Sequence, residues 1–284
     1  MGLALAAFAV AVTAWWLATG AVIVAARRPV PDPLYMLIPA SALGVAGIAI
    51  ALATASSLSV AAVYGAFFAA LLIWAFHEIS FLTGHVTGPR KTRLPVGTRG
   101  RHRFRLAWAA VRDHELALFA TGAVLLAVLW GAANPFCWMV FALMWVMRLL
   151  TKLNVFLGAP NAVSEILPAR MAYLTSYFRT DRVHAFFIVS VVIVTGLLTA
   201  SVYMAATSAD PAAITGWSLM AAFAFLGLVE HLFLVLPVRD AALWSWATGR
   251  TGSGFIRRGQ GAAKQLQSSQ EDGRVAKSAA PATG

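Results

Sequence analysis

The sequence predicts an all-α protein, a polytopic membrane bundle of seven transmembrane helices with a periplasmic N-terminus and a cytoplasmic C-terminus. Three observations lead to this prediction. The chain is 60% hydrophobic and only 12% charged, whereas roughly a quarter of the residues in soluble domains are charged. Apolar runs of about 20 residues, long enough to cross about 30 Å of hydrocarbon, recur along it. All 22 Lys and Arg residues fall on one side of the resulting topology.

The seven spans are predicted from the apolar runs and from the polar breaks between them. The segments "RRPVPDP", "ANP" and "TSADP" separate neighbouring runs, and Pro and Asp at such points are typical of turns and helix starts. The second run is rich in Ala and Gly, which favours close helix packing. The predicted spans are residues 3–26, 34–55, 57–82, 114–133, 135–157, 183–207 and 212–236.

The orientation follows from the basic residues. They lie in the connections after the first, third and fifth spans and in the C-terminal tail, with Arg148 just inside the fifth span. The N-terminus and the other connections hold none. Because basic residues stay on the cytoplasmic side, the N-terminus is predicted outside the cytoplasm and the C-terminus inside it.

Two segments outside the spans also receive a prediction. Residues 249–284 are rich in Gly, Ser, Ala and Gln, so we expect a disordered cytoplasmic tail after a transmembrane domain of residues 1–248. In the fifth connection, "LPARMAYLTSYFR" places Met171, Leu174 and Phe178 at helical spacing after Pro168. This pattern predicts an amphipathic helix that lies on the cytoplasmic surface.

Composition also excludes several classes of protein. The single cysteine, Cys137, rules out an intramolecular disulfide framework and a Cys-based zinc site. The seventh span has no lysine for a retinal Schiff base, and no glycine-rich nucleotide fingerprint follows a strand. The net charge of +11 is interpreted as a topology signal, so nucleic acid is not expected as a partner. Without evident broken helices or inverted repeats, a transporter is not favoured.

Ionisable residues converge at the cytoplasmic ends of four predicted spans. Histidine appears in all four, and three of these histidines have a glutamate as sequence neighbour. The residues are His77 and Glu78 in the third span, His114 and Glu115 in the fourth, His184 in the sixth, and Glu230 and His231 in the seventh.

Glu230 and His231 are the most informative pair. Apolar residues flank them on both sides, and at 1.5 Å per residue they should lie about 10 Å inside the hydrocarbon edge. An ionisable group there costs about 2.5 kcal/mol or more unless it is paired or coordinated. We therefore expect His77, Glu78, Glu230 and His231 to share a buried polar site.

Three chemistries are compatible with such a site. His77 or His231 could ligate the central magnesium or iron of a tetrapyrrole. Iron or zinc could instead be held by the imidazoles and carboxylates, the predicted metal ligands being Glu78, His114, Glu115, His184 and Glu230. The third alternative is a structural network that links these groups to Arg148. For His114 and His184, a position at the lipid headgroups is an equal alternative.

Three separated segments resemble one family. They are "FHEISFLTGH" at 76–85, "KLNVFLGAPN" at 152–161 with "YLTSYFR" at 173–179, and "EHLFLVLPVRDAALWSW" at 230–246. In these segments the chain resembles the PuhE-type photosynthetic complex assembly proteins of purple phototrophic bacteria. The resemblance covers residues 1–250. It implies a multi-pass protein of the bacterial inner membrane, cytoplasmic or intracytoplasmic, that supports assembly of the reaction centre and core antenna or the supply of bacteriochlorophyll.

Two functions are therefore carried forward. The first is a non-enzymatic assembly factor whose partners are membrane lipid and reaction centre subunits, antenna subunits or pigment-synthesis proteins. The second is a metal-dependent membrane oxidoreductase, for instance one with a di-iron site, because facing helices build di-metal centres from paired Glu and His. The usual Glu-x-x-His spacing is missing, so the sequence leaves open whether the protein is an enzyme.

Overall fold

A computed structural model describes residues 1–27, 34–162, 167–237 and 245–248. Within them all regular structure is helical, with no strand. The helices are α1 (Gly2–Arg27), α2 (Leu34–Thr54), α3 (Val60–Leu82), α4 (Gly100–Val128), α5 (Phe136–Leu157), a 3₁₀ helix (Ala169–Tyr177), α6 (Phe186–Thr207), α7 (Pro211–Phe233) and α8 (Ser245–Thr248). The predicted tail, residues 249–284, lies outside the described residues.

Six of these helices are long and apolar enough to cross a membrane, namely α1, α2, α3, α5, α6 and α7. Their bounds lie close to six of the predicted spans. α4 is not among the six, and it carries Arg112, Asp113 and Glu115 near its middle. It also begins at Gly100, well before the predicted start at residue 114, and ends at Val128 rather than 133.

The centre of the bundle is formed by α3, α5 and α7. α2 packs along α3, α6 packs along α7, and α1 contacts both α7 and α3. Among the described membrane helices, α4 packs mainly against α5 and α3. The predicted role of small residues in the second span is confirmed. Gly47 lies so close to α3 that a Cβ would stand 2.8 Å from the carbonyl oxygen of Ala69, an approach that only small residues allow.

Polar breaks fix the end of the bundle at which α2, α4 and α6 finish. Asp210 caps α7 by accepting from the amide of Ala212 at 3.1 Å, and Pro211 follows as the first helical residue. Asn134 is buried, and its side-chain amide donates to the carbonyls of Ala62 at 3.0 Å and Thr54 at 3.3 Å. The "ANP" break thus joins the α2–α3 turn to the start of α5.

The opposite end, where α1, α3, α5 and α7 finish, is called the basic end here. The connection after α3 and the 3₁₀ helix pack over it as a layer that we call the cap. Its interior is an apolar cluster made of Ala26, Phe81, Leu82, Ala110, Met171, Leu174 and Tyr177.

The 3₁₀ helix replaces the predicted amphipathic helix of the fifth connection. Met171, Leu174 and Tyr177 are its buried residues, three residues apart, because side chains at i and i+3 eclipse in a 3₁₀ helix. Phe178, which was predicted to share the apolar face, lies just beyond the helix and is only partly buried. The segment is held into the bundle by its apolar face.

Arg103 locks the cap to the membrane helices. Its guanidinium is buried and donates to the carbonyls of Tyr177 at 2.7 Å and Phe156 at 2.9 Å, and it lies 3.9 Å from the centre of the Phe156 ring. Burial, with the nearby charge of Arg179, lowers the pKa of Arg103 from its usual value. Arginine nevertheless stays protonated in proteins. The charged Arg103 side chain therefore links α4 to α5 and to the 3₁₀ helix.

Candidate functional site

α3 brings His77 and Glu78 into the bundle about one turn before it ends. Both side chains are buried. The Nε2 atom of His77 is 3.0 Å from the hydroxyl of Thr121 on α4, whereas Oε2 of Glu78 is 3.4 Å from a guanidinium nitrogen of Arg148 on α5. The two neighbours therefore face different helices, as the angle of about 100° between adjacent helical residues requires.

A second ion pair joins α4 to α5. The ammonium of Lys152 donates to Oε1 of Glu115, and the same ammonium lies 5.3 Å from the centre of the Phe81 ring. Only 7% of the Glu115 side chain and 22% of the Lys152 side chain are exposed. Two carboxylates predicted as metal ligands are thus each paired with a basic side chain of α5.

Arg148 connects these pairs to α7. Its charge interacts with the carboxylates of Glu78, Glu230 and Glu115, which belong to three different helices. Its side chain is still 42% exposed, although Met147 and Leu150 of the same helix belong to the apolar core. We call Glu78, His114, Glu115, Arg148, Lys152 and Glu230 the polar cluster.

His114 is the most enclosed member of the polar cluster. It is fully buried, its ring centre is 4.3 Å from that of Phe81, and neither ring nitrogen has a hydrogen-bond partner among the described residues. His114 is therefore enclosed by protein, whereas the alternative considered from the sequence placed it among the lipid headgroups.

The connection after α3 holds the backbone at His114. The amide of His114 donates to the carbonyl of Thr87 at 3.0 Å, and the amide of Arg90 donates to the carbonyl of Ala109 at 3.1 Å. Residues 87–90, here called the strap, run against α4 so closely that a Cβ on Gly88 would lie 2.4 Å from the Ala109 oxygen. The strap therefore sets the position of α4 beneath the cap.

Several buried polar atoms of the polar cluster lack a partner within the described part of the chain. Besides the two nitrogens of His114, they are Oε1 of Glu78 and Nε of Arg148. Buried polar atoms in native proteins almost always have hydrogen bonds, and an unsatisfied one costs about 1–3 kcal/mol. These atoms offer both donors and acceptors to a polar group that enters the cluster.

His231 has a different interaction partner from its neighbour Glu230. It is fully buried, and its Nδ1 is 2.7 Å from the carbonyl of Gly227 in the same helix. Because a carbonyl only accepts, Nδ1 carries the proton and Nε2 is left as the acceptor. The structure thus pairs Glu78 with Arg148, whose charge also interacts with that of Glu230. The described contacts of His77 and His231 lie elsewhere.

His184 lies at the start of α6 and is exposed. Its Nδ1 accepts from the amide of Phe186 at 3.1 Å, which satisfies one of the amides at the helix start. An exposed position is what the headgroup alternative for His184 predicts. The described contacts of His184 do not include the polar cluster.

The arrangement does not fit a di-metal centre as it stands. No group of three or more His, Cys, Asp and Glu side chains that could hold a metal occurs in residues 1–27, 34–162, 167–237 and 245–248. For a tetrapyrrole, His77 already uses Nε2 towards Thr121, and the packing encloses His231 completely. Metal or tetrapyrrole ligation stays a prediction.

Sequence reasoning named the acids and included Arg148 as one possible partner, but it missed the other partners. Glu78, Glu115 and Glu230 were predicted as site residues, but Lys152, Thr121 and the strap were not assigned a role. A lysine inside an apolar helix was the available signal for the Glu115 pair, because a cation at that depth needs a partner. The strap had no sequence signal beyond Gly88.

Fold and site together define a multi-pass helical membrane protein with a buried ion-pair cluster near the end of its bundle. The chain belongs to a family described as a protein of unknown function, DUF3623, which matches residues 1–253. It is 31% identical over 244 residues to an "uncharacterized 30.4 kDa protein in puhA 5′ region" of Rhodobacter capsulatus, covering 82% of this chain and 86% of that relative. No solved structure matches.

Proposed function

We propose that the protein supports assembly of the photosynthetic reaction centre and core antenna, or the supply of bacteriochlorophyll to them, in the bacterial inner membrane. The relative in Rhodobacter capsulatus is described by its place in the puhA 5′ region, which agrees with the PuhE-type resemblance of the three segments and supports this setting. The polar cluster is the part of the chain that acts in this role.

The proposed topology has seven spans, with α4 added to the six helices of membrane-crossing length. The α4 residues beyond Glu115 carry no charge and are apolar apart from Thr121. With seven spans, every described basic residue lies at the basic end. By the positive-inside rule this end faces the cytoplasm. The N-terminus is then periplasmic, and residues 249–284 follow as a cytoplasmic tail.

The observation that carries the proposal is the polar cluster itself. Glu78 on α3 and Glu115 on α4 each form an ion pair with a basic side chain of α5, and the charge of Glu230 on α7 interacts with that of Arg148. Breaking such a buried pair is costly, and hydrophobic residues in its place often stabilise a protein. Ionisable groups inside membrane helices are therefore assigned to function by default.

Arg148 is the group through which the cluster meets a partner. Its side chain is partly exposed, whereas Glu78 and Glu115 behind it are buried. A guanidinium has five N–H donors, so one held by Glu78 keeps others for a carbonyl or carboxylate. Such an acceptor is provided by a subunit helix or a pigment that approaches within the membrane.

The experiment deletes the gene for this protein in its host and measures two quantities in the host membranes. These are the near-infrared absorption of bacteriochlorophyll and the amount of reaction centre subunits. We expect both to fall at least several-fold and to return with the wild-type chain. Normal subunits with little pigment would place the role in pigment supply, and loss of both would place it in assembly. Unchanged absorption and unchanged subunits would overturn the proposal.

A further inference from the structure

The first half of α4 carries a row of exposed residues along one face. Arg101, Arg105, Trp108 and Arg112 follow one another at spacings of four, three and four residues and are all exposed. Residues at such spacings lie above one another on a helix. The opposite face holds Arg103, Ala110 and His114, which are buried. α4 is therefore attached to the bundle by one face and presents the other outwards.

The same outward face continues into an apolar row. Leu116 and Phe119 follow Arg112 at the same spacing, and they are 50% and 56% exposed. Large apolar side chains exposed on a membrane helix face lipid, so this row marks the lipid-facing side of α4. The change from basic to apolar residues between Arg112 and Leu116 marks the edge of the hydrocarbon.

We propose that Arg105, Trp108 and Arg112 form a binding site for the phosphate of anionic phospholipids in the cytoplasmic leaflet. Helical side chains point back towards the helix N-terminus, which directs Arg112 from the hydrocarbon edge to the phosphates. Trp108, 40% exposed, lies one turn further out, and tryptophan is enriched in this interfacial region. The site rests on the proposed topology of α4 and on no role in photosynthesis.

The charges of this face are suited to an anion. Across the described ranges, Arg101 and Arg105 form no ion pair with a carboxylate, and Arg112 pairs only with its exposed neighbour Asp113 at 2.9 Å. Arg101 lies about 6 Å beyond Arg105 along the axis at 1.5 Å per residue, within a Debye length of the lipid surface. It adds to the attraction without touching the phosphate.

The test uses the full-length protein in bilayers of brominated phosphatidylcholine and brominated phosphatidylglycerol. Bromine quenches tryptophan on contact, and the signal of Trp108 is the part missing in Trp108→Phe. We expect phosphatidylglycerol to be preferred at Trp108 by about five-fold for each contacting arginine at low salt, falling as salt rises. In Arg105→Gln/Arg112→Gln the preference should approach one.

The matched control is Arg93→Gln/Arg99→Gln, which removes the same charge from exposed positions in the connection before α4. This control should keep the wild-type preference. Equal quenching by both lipids in the wild type would overturn the site and would leave the face to an acidic protein partner. An equal loss in both double variants would also overturn it, because the attraction would then be a property of net charge alone.

Discussion

At the scale of residues, the polar cluster contains two buried ion pairs with different exposure. Glu115 and Lys152 are more enclosed than Glu78 and Arg148, whose guanidinium is partly open. The enclosed pair is suited to holding α4 against α5, while the open pair is suited to contact with a partner. These roles lead to different predictions.

Glu115→Gln should destabilise the protein by about 3 kcal/mol because Lys152 is left as an uncompensated charge. Lys152→Met should do the same to Glu115, whereas Glu115→Gln/Lys152→Met should be close to wild type. Unfolding can be followed by labelling Cys137 during heating, since this thiol is buried. The control is Arg182→Gln, which breaks an exposed pair with Asp181, and exposed pairs contribute little to stability. Additive losses in the double variant would contradict the pairing.

The pH dependence of stability should include a contribution from Asp181, which lies between the 3₁₀ helix and α6. A hydrogen bond from the exposed Arg182 lowers the pKa of this carboxyl below its usual value. Its stabilising contribution is therefore present above the unfolded pKa of about 3.9 and is lost as pH falls through the lower folded value. We expect the melting temperatures of wild type and Asp181→Asn to converge as pH falls below about 4. A gap that persists unchanged there would contradict this assignment.

At the scale of elements, the sequence predicted most of the helices but not the extent of α4. Six apolar runs became helices close to their predicted bounds because hydropathy reports what lies in lipid. α4 extends to Gly100 because its outer half packs beneath the cap through Arg103 and Ala110, a tertiary contact that apolar length does not register. The sequence likewise placed the site acids at a common depth but could not pair them, because depth does not fix the rotation of each helix.

The strap provides a prediction at this scale. In Gly88→Ala the new Cβ would lie 2.4 Å from the Ala109 oxygen and 2.8 Å from the Ala110 carbonyl carbon, both of which are backbone atoms. The strap must therefore leave α4, and we expect the amide of Arg90 to exchange hydrogen at least about ten-fold faster, as local opening becomes easier. The control is Gly122→Ala on α4, where the nearest atom is 3.5 Å away. Equal exchange in the two variants would show that the strap does not depend on this contact.

At the scale of the whole molecule, the bundle is closed differently at its two ends. Asn134 joins short turns at one end, whereas the basic end carries the cap, the strap and the polar cluster beneath them. The proposed site thus lies at the end that we assign to the cytoplasm. Composition and charge indicated this asymmetry, but the cap that covers His114 follows from contacts between distant segments.

The measurement that tests the central claim most directly compares variants of Arg148 in a host that lacks the wild-type chain. Near-infrared bacteriochlorophyll absorption is measured in membranes that contain equal amounts of wild type, Arg148→Gln, Arg148→Lys or the surface control Arg93→Gln, at an exposed position in the connection before α4. We predict full restoration by the wild type and the control, partial restoration by Arg148→Lys, and at least a several-fold lower absorption with Arg148→Gln. Full restoration by Arg148→Gln at equal protein level would contradict the claim that the polar cluster acts in photosynthetic complex formation.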